Sequence, residues 1–219
     1  MGLMNNTVSI CQFQISEGEL PPRSERFEWL RERLRRHRFI DIRETAEEES
    51  AGFVELHDTA RTDFDDPSTL WIGDYFTFTI RQDVRRIPAA ILAETLREAL
   101  DAWLEERPDM TRVPKLVREN IKEAVRQNLL TKTLPVPVMF DAAWDTHTGI
   151  VTLASTSKKA IELFDLLFKK AFPEFRIQII HPYGRAKQIA EMLGLEEQIK
   201  AANLATTESV LDIISANKW

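Results

Sequence analysis

The chain is short of the residues that staple, hinge or anchor a protein. One of its 219 residues is cysteine, Cys11, so no internal disulfide can form. That fits a reducing compartment, and a small buried apolar side chain is the simplest reading of the position. Seven glycines leave little for a phosphate-cradling loop, and G-x-x-x-x-G-K-[ST] and G-x-G-x-x-G are both missing. H-E-x-x-H, C-x-x-C and G-x-S-x-G are missing too, which removes the common signatures of zinc hydrolases, thiol oxidoreductases and serine hydrolases. The start MGLMNNTVSI has neither the basic segment nor the apolar core of a signal peptide. No apolar run approaches the ~20 residues of a membrane span. A cytoplasmic protein with no membrane partner is expected.

What the chain does have is charge, segregated along its length. The net charge of −6 argues against a nonspecific polycation. Residues 44–66, however, hold nine acids and one base, while residues 111–133 hold six bases and two acids. Residues 22–43 carry eight arginines against four acids. Such segregation allows a basic face on an acidic body.

Periodicity is clearest over residues 136–180. Val138, Phe140, Ala142 and Trp144 alternate, residues 145–149 turn the chain, and Ile150, Val151, Leu153 and Ala154 carry it back as a hairpin partner. Thr156 or Ser157 then caps a helix whose Ala160, Ile161, Phe164, Leu167, Phe168 and Ala171 form one apolar stripe, ended by Pro173. Residues 175–180 return as a strand. Each element has an apolar face that nothing local covers, so a β-β-α-β layer is expected.

Upstream, residues 7–14 read as a strand and residues 25–37 as a helix with Phe27, Leu30 and Leu34 inward and an arginine-rich outer face. Residues 39–42 read as a short strand. The acidic stretch 44–68 is expected to be irregular and exposed, with one strand at 53–56. LWIGDYFTFTI, residues 70–80, predicts one long strand. Helices over 88–106 and 111–130, the first with Ile91, Leu92, Leu96, Ala99, Leu100, Trp103 and Leu104 inward, pair as an αα-hairpin. Short helices at 185–193, 196–202 and 208–214 close the chain. The expected fold class is α+β: mixed or antiparallel sheet layers packed on helices, a projecting helical hairpin at 88–130, and a helical C-terminal tail. Residues 1–182 form the main region and 183–219 the tail.

Two constellations bear on chemistry. On the helix at 111–130, Lys115, Arg118, Lys122 and Arg126 share one face and span about 16 Å, the reach of several phosphates along a groove. Glu119 and Glu123 flank the stripe, so a solvated, salt-bridged face accounts for it equally well. Asp141, Asp145 and His147 near the hairpin turn are the best metal-ligand set, of the kind a metal-dependent nuclease uses. A polar turn explains the same residues more simply.

The ordered series RQDVRRIPAAILAETLREAL, VPKLVRENIKEAVRQNLL and PVMFDAAWDTHTGIVTLASTSKKAIELFDLLFKKAF resembles the RdgC family of recombination-associated proteins. Arg86-Ile87-Pro88, Leu129-Leu130, Trp144-Asp145, Gly149 and Ser157-Lys158-Lys159-Ala160 carry the resemblance, which covers residues 8–180. It implies a non-enzymatic homodimer that holds double-stranded DNA in a basic ring or clamp, limits the RecA strand-exchange protein and associates with the nucleoid. Family names sometimes carry the word exonuclease, but no nuclease active site is recognisable in the sequence and no cofactor is expected; the alternative readings are a metal-dependent exonuclease using Asp141, Asp145 and His147, and a protein-interaction module whose charge stripe is merely solvated. With the resemblance, the expected DNA contacts are Arg85, Arg86, Arg112, Lys115, Arg118, Lys122, Arg126 and Lys132. Leu134 stands where the family has an aromatic residue at a subunit contact. Typical members also run on past the place of Trp219, so the second subunit contact is expected to be missing or replaced here.

Overall fold

The computed structural model describes residues 2–3, 7–195 and 197. Apart from residue 197, the helices expected at 196–202 and 208–214 lie outside them. In chain order the elements are β1 (Cys11–Glu17), α1 (Arg26–Arg36), β2 (Glu49–Val54), α2 (Pro67–Leu70), β3 (Trp71–Ile72), β4 (Tyr75–Val84) and α3 (Ala89–Glu105). Then follow α4 (Lys115–Lys132), β5 (Val136–Asp145), β6 (Ile150–Leu153), α5 (Lys158–Ala171), β7 (Arg176–Ile179) and α6 (Pro182–Leu193). The strands form one antiparallel sheet in the order β2-β4-β5-β6-β1-β7, with β3 on β4. The fold is α+β, as the sequence patterns predict.

Alternation in β4 and β5 builds the core. The register sets Phe76 opposite Trp144, Phe78 opposite Ala142 and Ile80 opposite Phe140. These side chains share one face of the sheet because the strand period is two. Leu30 and Leu34 of α1, with Phe164, Leu167 and Phe168 of α5, join the same buried cluster. The Trp144 ring lies 5.7 Å from Phe168, 5.6 Å from Phe172 and 5.3 Å from Phe175. Each fully buried Phe contributes roughly 1.5–3 kcal/mol.

The expected β-β-α-β unit is present, but β1 is inserted into it. β1 pairs antiparallel with both β6 and β7, and α5 crosses over it with the Phe13 and Phe164 rings 4.7 Å apart. The first strand therefore runs over Cys11–Glu17 rather than 7–14, since its span is set by these two partners. Ser157 is the N-cap of α5, yet its hydroxyl makes no capping bond.

Three other expectations change. LWIGDYFTFTI is a hairpin, not one strand: Gly73, with φ of 64°, turns the chain between β3 and β4. Residues 39–42 form no strand; only a parallel bridge joins Arg38 to Phe53, with the Phe39 N–H donating to the Phe53 carbonyl at 3.0 Å. Gly52 permits that approach, because a Cβ there would collide with the Arg38 and Phe39 backbone. The acidic stretch is more ordered than its composition implies, since Phe53, Val54, Glu55 and Phe64 within it are completely buried.

Candidate nucleic-acid interface

The β4–β5 pairing runs without interruption from Tyr75 opposite Asp145 to Val84 opposite Val136, and the helical hairpin α3–α4 is inserted at the Val84 end. Pro88 and Pro114 stand at the N-caps of the two helices, where their fixed φ values of −59° and −58° need no helical N–H. Leu92, Leu96, Ala99, Leu100, Trp103 and Leu104 of α3 are half-buried against α4, and no residue of α3 is fully buried. Ile91, expected inward, is exposed. Val125 and Leu130 are the buried residues of α4, toward its C-terminal end, so the hairpin is anchored at its base and stands off the sheet.

Along this hairpin the cations are ordered from tip to base. Arg112 lies in the connecting loop, Lys115, Arg118 and Lys122 on α4, and Arg86 and Lys132 at the base; all six are exposed. Among the described residues Lys115, Arg118 and Lys122 make no ion pair, so the Lys115–Glu119 pair that helical spacing allows is not formed. Glu123 accepts instead from Gln127 at 2.8 Å. The exposed side of α3 carries Glu94, Glu98, Asp101 and Glu105 against Arg97. The hairpin thus has a basic face on α4 and an acidic one on α3, a division that the stripe on α4 alone did not reveal.

Two of the expected contacts are used elsewhere. Arg85 is 4% exposed. Its guanidinium donates to the carbonyls of Ile42 at 2.6 Å, Arg43 at 3.0 Å and Leu130 at 2.8 Å, and also to Thr45. A guanidinium so consumed cannot reach a phosphate, and Arg85 leaves the set as a structural residue. Arg126 is half-buried and paired with Glu48 of the acidic stretch. That pair brings an acidic loop to the foot of the basic face.

The family model described as "Putative exonuclease, RdgC" matches residues 13–193. The chain belongs to the RdgC family. None of the curated proteins compared with it matches.

The residues weighed for metal chemistry in this RdgC-family chain have other partners. Asp141 accepts from the Thr79 hydroxyl at 2.7 Å and the Leu3 N–H at 2.9 Å. Asp145 accepts from the N–H groups of His147 at 2.9 Å and Thr148 at 3.3 Å. Burial pushes the Asp145 carboxyl up, but these bonds and the Thr148 hydroxyl outweigh it and hold the group below its usual range. The His147 ring lies 3.6 Å from Asp74. Among the described residues no group of three or more His, Cys, Asp or Glu is placed to hold a metal ion. Nor is any helix among them long and apolar enough to cross a membrane.

Leu134, the expected subunit contact, is 76% exposed just beyond α4 and is followed by the exposed Val136 and Val138.

Proposed function

We propose that this chain binds double-stranded DNA without sequence preference through the α4 face of its helical hairpin and does not cleave it. The observation that carries the reading is the exposed row Lys115, Arg118 and Lys122, without an ion pair among the described residues, continued by Arg112 at the tip and by Arg86 and Lys132 at the base. Such a row meets phosphates, which carry no base information, and it needs no pocket. An overall net charge of −6 repels DNA elsewhere and so favours this one orientation.

The reading extends to a homodimer, closed as a ring or open as a clamp, that limits RecA on nucleoid DNA. The family resemblance and the exposed apolar run at Leu134, Val136 and Val138 support that extension. An isologous contact repeats one patch on both subunits, so one such contact gives a clamp and two give a ring. The test is a salt titration of binding to duplexes of equal length and unrelated sequence. Affinities that agree between sequences and fall steeply with salt support the proposal. A sequence preference with a flat salt dependence contradicts it.

A further inference from the structure

At the end of the sheet opposite the helical hairpin is a cleft of about 560 Å³, within the roughly 300–1,000 Å³ of small-molecule sites. β4 and β5 are ten residues long, which separates the turns at this end from the hairpin base by ~30 Å. The cleft therefore lies apart from the duplex-binding face.

Three kinds of side chain line it. Phe27 and Trp71 are half-buried and packed on the core, with the Trp71 ring 5.7 Å from Phe76, so their positions are fixed. The Arg26 Nε donates to the Pro21 carbonyl at 2.9 Å, and the two terminal amino groups of Arg26 have no partner among the described residues. Arg23 and His147 approach one carboxylate oxygen of Asp74 from two sides, at 4.0 and 3.6 Å. The wall thus presents two aromatic surfaces, an excess of cationic donors and one carboxylate acceptor.

A bare anion has no use for the rings, and an apolar ligand has none for the arginines. A planar base on Phe27 and Trp71, a phosphate at Arg23 and Arg26, and a sugar hydroxyl donating to Asp74 employ all three kinds. We infer that this cleft binds a nucleoside phosphate, either free or as the terminal nucleotide of a DNA strand. The inference does not depend on the duplex-binding proposal, because the residues of the two sites do not overlap.

The test is calorimetric titration of the full chain with adenosine monophosphate, with adenosine and inorganic phosphate as separate controls. Saturable binding of the monophosphate is expected, with each control weaker by about tenfold or more. Arg23→Ala with His147→Ala changes two exposed side chains, so folding is retained, and weakens binding by about tenfold or more while the salt-dependent affinity for duplex DNA stays as it was. Arg26→Ala serves as a second variant, with its circular dichroism compared with that of the parent. A 5′-phosphorylated single strand that competes with the monophosphate identifies a strand end as the source, and one that does not compete identifies a free nucleotide. No saturable binding of the monophosphate, or binding indifferent to both variants while they remain folded, overturns the inference.

Discussion

The guanidinium of Arg85 donates to the carbonyl of Leu130 across 2.8 Å, tying the exit of β4 to the last turns of α4. Through the same group the loop at Ile42, Arg43 and Thr45 is held against the hairpin base. The neighbouring Arg86 is exposed and shares none of these bonds. One member of the arginine pair therefore positions the hairpin, and the other is exposed to solvent.

Arg85→Ala should leave buried carbonyls without donors and cost about 3 kcal/mol. Urea denaturation should show a clear fall in midpoint, while Arg86→Ala should leave the midpoint unchanged and weaken duplex binding. Equal midpoints for the two variants would contradict the assignment of Arg85 as structural.

Gly52→Ala tests the close approach of β2 to the Arg38–Phe39 backbone. The added methyl forces that backbone away from Phe53, and a loss of ~1–3 kcal/mol is expected from the same denaturation measurement. A neutral substitution would show that the segment yields freely.

Glu55 offers a test by pH. It is completely buried, accepts from the Phe64 N–H at 3.2 Å and has its other oxygen without a hydrogen-bond partner among the described residues. Burial first, then the neighbouring Asp63 carboxylate, raises its pKa above the ordinary 4.5. A raised acid stabilises the fold fully below its unfolded value, and that contribution is lost as pH rises through the folded value. Glu55→Gln keeps an acceptor and cannot ionise. Variant and parent should therefore have similar melting temperatures at pH 4, with the variant the more stable at pH 8. A gap that does not grow with pH would mean that Glu55 is not held in its protonated form by the fold.

How much was legible beforehand follows from how local each signal is. The period-two run Val138, Phe140, Ala142 and Trp144 and the apolar stripe of α5 are read directly, because strand and helix periods act over a few residues. The insertion of β1 between β6 and β7 depends on pairing between residues about 140 to 165 apart in the chain, which no window contains. In LWIGDYFTFTI the aromatic and β-branched residues outweighed Gly73, although glycine is the residue that marks such a turn. At Arg85 charge does not bring exposure. Parity along β4 aligns it with Thr77, Thr79 and Asp83, all buried on the second face of the sheet, and that alignment was the signal available. Arg23, Phe27, Trp71 and His147 are dispersed through the sequence, so only the fold brings their cleft together.

Leu134→Glu examines self-association. Placing a charge in the exposed apolar run with Val136 and Val138 should convert a dimer to a monomer in light scattering at micromolar concentration. A parent protein that is monomeric at every concentration would remove both the ring and the clamp.

Labelled duplexes and single strands incubated with magnesium or manganese should stay intact. Asp141 and Asp145 are each occupied by local donors, and metal-assisted cleavage needs carboxylates free to hold the ion. Degradation abolished by Asp145→Ala would contradict this.

The central claim is tested most directly by the slope of log affinity against log salt for Arg118→Ala with Lys122→Ala. Both side chains are exposed, so the denaturation midpoint should not move. Each phosphate contact contributes about 0.9 to the slope, and a dimer uses each residue twice, so the slope should flatten by about 3 to 4 units. An unaltered slope in the folded double variant would contradict binding through α4 and transfer the search to the exposed Arg35 and Arg38 at the end of α1.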